Sequence, residues 1–283
     1  MGMTMSPAMA ATGQYFNKNR GAAMGLAVAG SSLGGVVWPI ALGKMLNNPH
    51  LSFGWTIRIL GFIMLILIIP ACLAIKARLP PRKGQFFLPE AFKQPKFLAI
   101  VGSVFLIMLG LFLPFFYLPS LAVQHGMSSE LSSYLLAILN GASFFGRVIP
   151  GVLGDKLGRY NALCAAGIGS GILILCLPDL DSNASIIAFA ALYGFCSGAI
   201  VSGMSVLMAG VPTDPRNIGT YMGMGMAVIS IGALIGPPID GAFLTRFGGY
   251  REVSIFSGVL TLTGSITIFL AKATTDKGLW AKV

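Results

Sequence analysis

Ser129–Arg159, SELSSYLLAILNGASFFGRVIPGVLGDKLGR, is the stretch whose reading decides the fold. From Ser132 to Gly154 its only formal charge is Arg147. At about 1.5 Å rise per residue this span covers more than a bilayer core of ~30 Å. Arg147 then sits roughly seven residues, about 10 Å, inside the end marked by Asp155 and Lys156. An arginine held at that depth costs at least about 2.5–3.5 kcal/mol on insertion scales, so something local must compensate it. Helical spacing shows what that is. Ala137, Asn140, Ser143, Arg147, Gly151 and Gly154 recur at three- and four-residue steps and form one small or polar stripe. Leu135, Leu136, Ile138, Phe145, Val148 and Ile149 cover the other faces. The expectation is a helix with its stripe turned into a bundle or aqueous cavity, its bulk toward lipid, and a kink at Pro150. Arg147 has two readings: the cationic half of a site for an anionic or polar solute, or a side chain reaching the near interface or a backbone carbonyl. The first is favoured because the polar stripe continues away from the near interface.

The surrounding chain supports a membrane setting. Hydrophobic residues make up 55% of the 283 and charged residues only 10%, too little charge to cover a soluble domain. The chain therefore reads as an all-α polytopic membrane helix bundle embedded in a lipid bilayer. Its net charge of +10 is scattered singly between apolar runs, which excludes a nucleic-acid partner and fits the Lys/Arg excess of cytoplasmic loops. Cys72, Cys164, Cys176 and Cys196 stand in apolar stretches without C-x-x-C spacing, and His50 and His125 fall in predicted loops. Neither a metal site nor a disulfide framework is indicated, and no cofactor is expected. No basic start leads into a short apolar core and cleavage site, so no signal peptide is read.

Complete spans are predicted at about 21–46, 55–75, 97–123, 129–153, 160–177, 186–211, 218–244 and 253–271, eight in all. Residues 1–16 are apolar but too short to cross and read as the last half of a helix. The span after Arg20 carries Gly21, Gly25, Gly30, Gly34 and Gly35 with Ala23, Ala27 and Ser31, a small-residue face for close helix contact. Its GSSLGG run lacks the Lys-Ser/Thr ending of a phosphate loop. Residues 76–96 form one long basic, proline-rich connection, with FFLPEAF as an amphipathic segment for the membrane surface. Fourteen Lys/Arg, from Lys18 to Lys282, fall on the side of that linker, against four (Lys44, Arg58, Arg246 and Arg251) on the other. The linker and the carboxyl terminus are thus predicted to be cytoplasmic. Asn183-Ala-Ser185 is a glycosylation sequon on the opposite face.

Gly151-Val-Leu-Gly-Asp155-Lys156-Leu-Gly158-Arg159 matches the G-x-x-x-D-[RK]-x-G-[RK] loop of the major facilitator superfamily. Gly158 permits a tight turn, and the acid can accept from the amino terminus of a neighbouring helix. Tyr15-Phe16-Asn17-Lys18-Asn19-Arg20, followed by Gly21 to Ser31, resembles the signature joining helices 4 and 5 of monocarboxylate-porter-like carriers. Gly54-Trp55-x-x-Arg58, Pro114 to Pro119 and Gly236-Pro237-Pro238 resemble its fungal branch.

The resemblance implies a major facilitator fold in truncated form, with two helix bundles and alternating access around a central site. Residues 1–75 would be the remnant of the N-terminal bundle (end of helix 4, helices 5 and 6). Residues 76–96 would be the cytoplasmic linker, 97–272 the C-terminal six-helix bundle and 273–283 a cytoplasmic tail. Helices 1 to 3 would be absent. The implied function is secondary active transport of a small organic solute, a monocarboxylate in the family's usual case, at the plasma or vacuolar membrane, and not enzymatic. Arg147 falls where such carriers have a substrate-associated arginine, and Asn140, Ser143 and Tyr117 join it as candidate solute contacts. Gly151, Asp155, Lys156, Gly158 and Arg159 form the gating loop. Family members commonly carry an aspartate where this chain has Ser143, so proton coupling through such a pair stays open. Asp240 is the remaining intramembrane acid, with a helix-end role the favoured reading. The rival expectation is a truncated, non-transporting paralogue or gene-model fragment.

Overall fold

The computed structural model describes residues 2–16, 18–76, 78 and 87–272. The basic Arg82 and Lys83 of the expected linker and the expected tail 273–283 lie outside the described residues. Among the described residues every regular element is helical. The ten α-helices are α1 (Gly2–Tyr15), α2 (Arg20–Leu46), α3 (Phe53–Ala74), α4 (Pro95–Leu111), α5 (Leu113–Gln124), α6 (Ser129–Leu157), α7 (Arg159–Leu175), α8 (Asn183–Ala209), α9 (Ile218–Phe247) and α10 (Arg251–Lys272). Short 3-10 turns occupy Pro89–Lys93, Leu177–Asp179 and Pro215–Asn217. Seven segments are long and apolar enough to cross a membrane, α4 and α5 counting as one, while α7 is apolar but shorter. The eighth expected span is thus present as a helix of 17 residues.

The ends of these helices are set by local chemistry. The Ser128 hydroxyl accepts from the Leu131 amide at 3.3 Å and starts α6. Gly158, at φ 102°, lets the chain turn directly from α6 into α7. Ser182 caps α8 in a reciprocal capping box with Ser185, so the sequon residues Asn183 and Ser185 form the first turn of that helix.

α6 lies between α2 and α8, α10 lies between α4 and α7, and α9 packs on α4 and α1. Small residues bring these helices together, since lipid tails leave no hydrophobic drive for helix association. At the α6–α8 contact a Cβ on Gly146 would overlap the Phe195 carbonyl, and one on Gly194 would overlap the Leu139 carbonyl. The tightly packed interior comprises Ile100, Ile107, Leu118, Leu135, Leu139, Phe189 and Tyr193. α3 differs, with only Thr56 and Leu60 buried and Phe62, Ile66 and Leu67 open to the surroundings.

One expectation is corrected and one is refined. Leu135, read as lipid-facing, is completely buried, because α6 packs with a second face against α8. The span expected at 97–123 is present as Pro95–Gln124 and is built of two helices that meet at Phe112. Pro114 has no N–H to return to the Gly110 carbonyl, so the ladder stops there. The Tyr193 hydroxyl donates to the Leu111 carbonyl at this break. α6 itself remains helical through Pro150.

Candidate functional site

The α6 stripe faces α2, and the two helices run antiparallel. Asn140 comes first: its Nδ2 donates to the Leu136 carbonyl at 2.8 Å, and its amide occupies the space that a side chain on Gly35 would take. One turn on, the hydroxyls of Ser143 and Ser32 lie 3.1 Å apart, both buried. Arg147 follows, 8% exposed. Its Nη1 donates to the Val28 carbonyl at 3.0 Å and also to the Ser31 hydroxyl. Gly25 lies directly over the Arg147 backbone carbonyl, and Gly151 backs onto Gly21. The glycines of α2 let the α6 backbone approach closely, and the two Nη1 bonds hold the guanidinium against α2.

At the end of the seam the Asp155 carboxylate caps α2. Its Oδ1 accepts from the Gly21 amide at 3.1 Å and its Oδ2 from the Ala22 amide at 3.0 Å. Those N–H groups belong to the first turn of α2, where the helix dipole and unpaired amides favour an anion. Arg159 closes the arrangement with Nη2 and Nε donating to Asp155 Oδ1 at 3.0 and 3.2 Å. Arg20 ties α2 to α8 through Nη1 and the Ala209 carbonyl at 2.9 Å. Lys156 is exposed.

At the opposite end the two helices part. A crevice of about 500 Å³ opens there between α2 at Pro39 and Lys44 and α6 at Glu130 and Tyr134. The seam is therefore closed at its Asp155 end and open at its Glu130 end.

Asn140, Ser143, Arg147, Gly151 and Asp155 are thus brought onto one helix–helix contact. Tyr117 is not among them: its hydroxyl donates to the Pro237 carbonyl of α9 at 3.2 Å and covers Gly241. Asp240 is fully buried between α9 and α10, its Oδ1 accepting from the Ser257 hydroxyl at 2.7 Å. The residues that sequence reasoning missed are Val28, Ser31 and Ser32, the cage around Arg147 and Ser143. The signal for Ser31 was its place in the small-residue face of α2. Among the described residues no cluster of three or more His, Cys, Asp or Glu could hold a metal ion.

The guanidinium of Arg147 spends only Nη1 on these bonds. Nε is buried and has no hydrogen-bond partner among the described residues. Buried polar groups are ordinarily satisfied, so an unpaired charged N–H in the middle of a seam is chemically available to an acceptor that arrives there.

The sequence profile of the Major Facilitator Superfamily matches residues 1–208 and 142–282. The chain belongs to that superfamily. It is 48% identical over 278 residues to the aspyridones efflux protein apdF of Emericella nidulans, covering 98% of this chain and 57% of that protein. It is 41% identical over 281 residues to the agnestins efflux protein AgnL12 of Paecilomyces divaricatus, covering 98% of this chain and 63% of that one. The chain thus spans roughly three-fifths of the length of these relatives. The crystal structure of the E. coli fucose:proton symporter FucP (N162A) superposes with a TM-score of 0.74 at 15% identity, covering 95% of this chain and 73% of that one, which shows a common fold.

Proposed function

We propose that this chain acts in secondary transport of a small organic solute by alternating access, with Arg147 receiving the solute's anionic or strongly polar group. The observation that carries the proposal is the α2–α6 seam, shut at one end, open at the other, with a buried arginine donor unspent between them. Secondary carriers work by opening such a contact alternately at its two ends around a fixed site. Asn140 and Ser143 stand on the open side of Arg147, in the path of a solute leaving by that end. Asp155 with Arg159 is the breakable latch of the closed end. The Lys/Arg distribution favours that end as cytoplasmic. Membership of the superfamily supports transport, and the names of two relatives favour efflux as the direction and organic compounds as the cargo. Within that cargo we propose a carboxylate-bearing molecule, because a guanidinium matches a carboxylate bidentately.

The test is efflux and uptake of labelled organic acids by cells expressing the chain. Transport that is lost in Arg147→Ala while surface expression is retained supports the reading; unchanged kinetics discard the role of Arg147. We further propose a proton as the coupling ion, with Asp240 as its carrier, because that carboxyl is fully buried within the bundle rather than at a helix end open to water. Transport should then fall with a protonophore, and Asp240→Asn should remove that sensitivity. The nearly naked α3 favours a second reading, a carrier-derived chain that moves nothing by itself. No transport by the chain, with transport restored when the preceding segment of a relative is fused to it, selects that second reading.

A further inference from the structure

The seam has a register, and the register extends into the crevice. Ser32 meets Ser143 and Gly35 meets Asn140, so a step forward on α2 is matched by an equal step backward on α6. Nine residues on from Gly35 is Lys44, and nine back from Asn140 is Leu131, the neighbour of Glu130. A cation and an anion therefore stand at about the same height on neighbouring helices, about 13 Å along the axis from the last contact. Both are exposed and both line the crevice. They make no ion pair with each other in this conformation.

The point where the helices separate is also marked. Pro39 stands in α2 at the first crevice residue. It removes the hydrogen bond to the Gly35 carbonyl and weakens the helix against bending at that place. Gly43, in the segment beyond it, has nothing within 4 Å of its missing side chain, so that segment can approach α6 without a clash at that point.

We propose that Lys44 and Glu130 form the gate at the mouth of this crevice, apart here and paired when the end of α2 bends at Pro39 onto α6. The assignment rests on the alternating-access reading and adds the groups that close the second end. The pair is weak by design. Exposed ion pairs contribute little, which suits a contact that must break in every cycle.

The test reads closure directly, in the full chain in membranes, with the native cysteines replaced by alanine. Gly43→Cys and Ser133→Cys line the same crevice and leave both charges in place. Their disulfide cross-linking under mild oxidation reports the closed mouth, scored by protease cleavage at a site inserted within residues 79–86. Cross-linking is expected in the parent, a roughly two- to fivefold slower rate in Lys44→Glu, and recovery in Lys44→Glu/Glu130→Lys. Absence of the cross-link in the parent overturns the gate. So does an equal rate in the single and the swapped variants. The readout needs no solute. A chain that follows this charge pattern yet moves no labelled acid keeps the gate and loses the transport reading.

Discussion

Asp155→Asn should open the closed end of the seam, and the size of the effect follows from its contacts. The carboxylate is 9% exposed and accepts from two amides of α2, at 3.1 and 3.0 Å, besides its pair with Arg159. Hydrogen bonds to a charged group contribute about 1.5–3 kcal/mol each. Asparagine keeps one acceptor but turns an N–H₂ toward the second amide, so at least one such bond is lost. Each ~1.4 kcal/mol is tenfold in an equilibrium, so the open population should rise about 10- to 100-fold. The assay uses Ser32→Cys, which is completely buried in the seam. Its alkylation by a small maleimide applied from the Asp155 side requires that end to open. The rate should increase by the factor above in Asp155→Asn and stay at the parent level in Lys156→Gln, whose side chain is exposed. An Asp155→Asn chain that labels no faster than the parent would show that glycine packing, not the carboxylate, holds this end shut.

Four further outcomes follow from the packing and the buried donors. Gly146→Ala places a methyl group against the Phe195 carbonyl, and thermal unfolding in detergent should report a loss of about 1–3 kcal/mol. Gly141→Ala on the same helix meets open space and should be neutral or gain up to ~1 kcal/mol. Tyr193→Phe leaves the Leu111 carbonyl at the α4–α5 break without its hydroxyl donor, at a cost of about 1–3 kcal/mol in the same measurement. Arg147→Lys keeps the charge but loses the planar guanidinium whose Nη1 reaches both Val28 and Ser31 while Nε stays free, so on the proposed transport reading solute flux should fall about tenfold at constant surface expression.

The helices and the polar stripe of α6 were readable because membrane spans announce themselves by length and apolar content, and one arginine among apolar residues stands out. The acceptors of that arginine were not readable. Val28 and Ser31 lie more than a hundred residues away in sequence, and neither carries a charge that would pair them with it in advance. Leu135 escaped for a different reason. Lipid and protein interior are equally apolar, so hydrophobicity separates polar from apolar faces but not lipid-facing leucines from packed ones. The α4–α5 break was hidden because proline is tolerated in the first turn of a helix, so Pro114 alone does not say whether a new helix starts there.

One asymmetry of the seam is nevertheless written in side-chain volume. On the Asp155 side α2 presents Gly21 and Gly25 to α6, where the backbones close together, and further on Gly35 makes room for the Asn140 amide. Beyond Gly35 it presents Pro39 and Ile40, opposite Tyr134, and the helices diverge. Packing by itself would therefore favour this conformation at both ends. On the proposed transport reading the two arrangements lie within a few kcal/mol of each other, so something must be able to draw the bulky end together. Glycine contacts cannot be switched, but charges can, and the seam carries an acid bound to two amides at one end and a crevice lined by a cation and an anion at the other. The steric gradient fixes which conformation is easy to form. The polar groups at its two ends decide whether the other one can be reached at all.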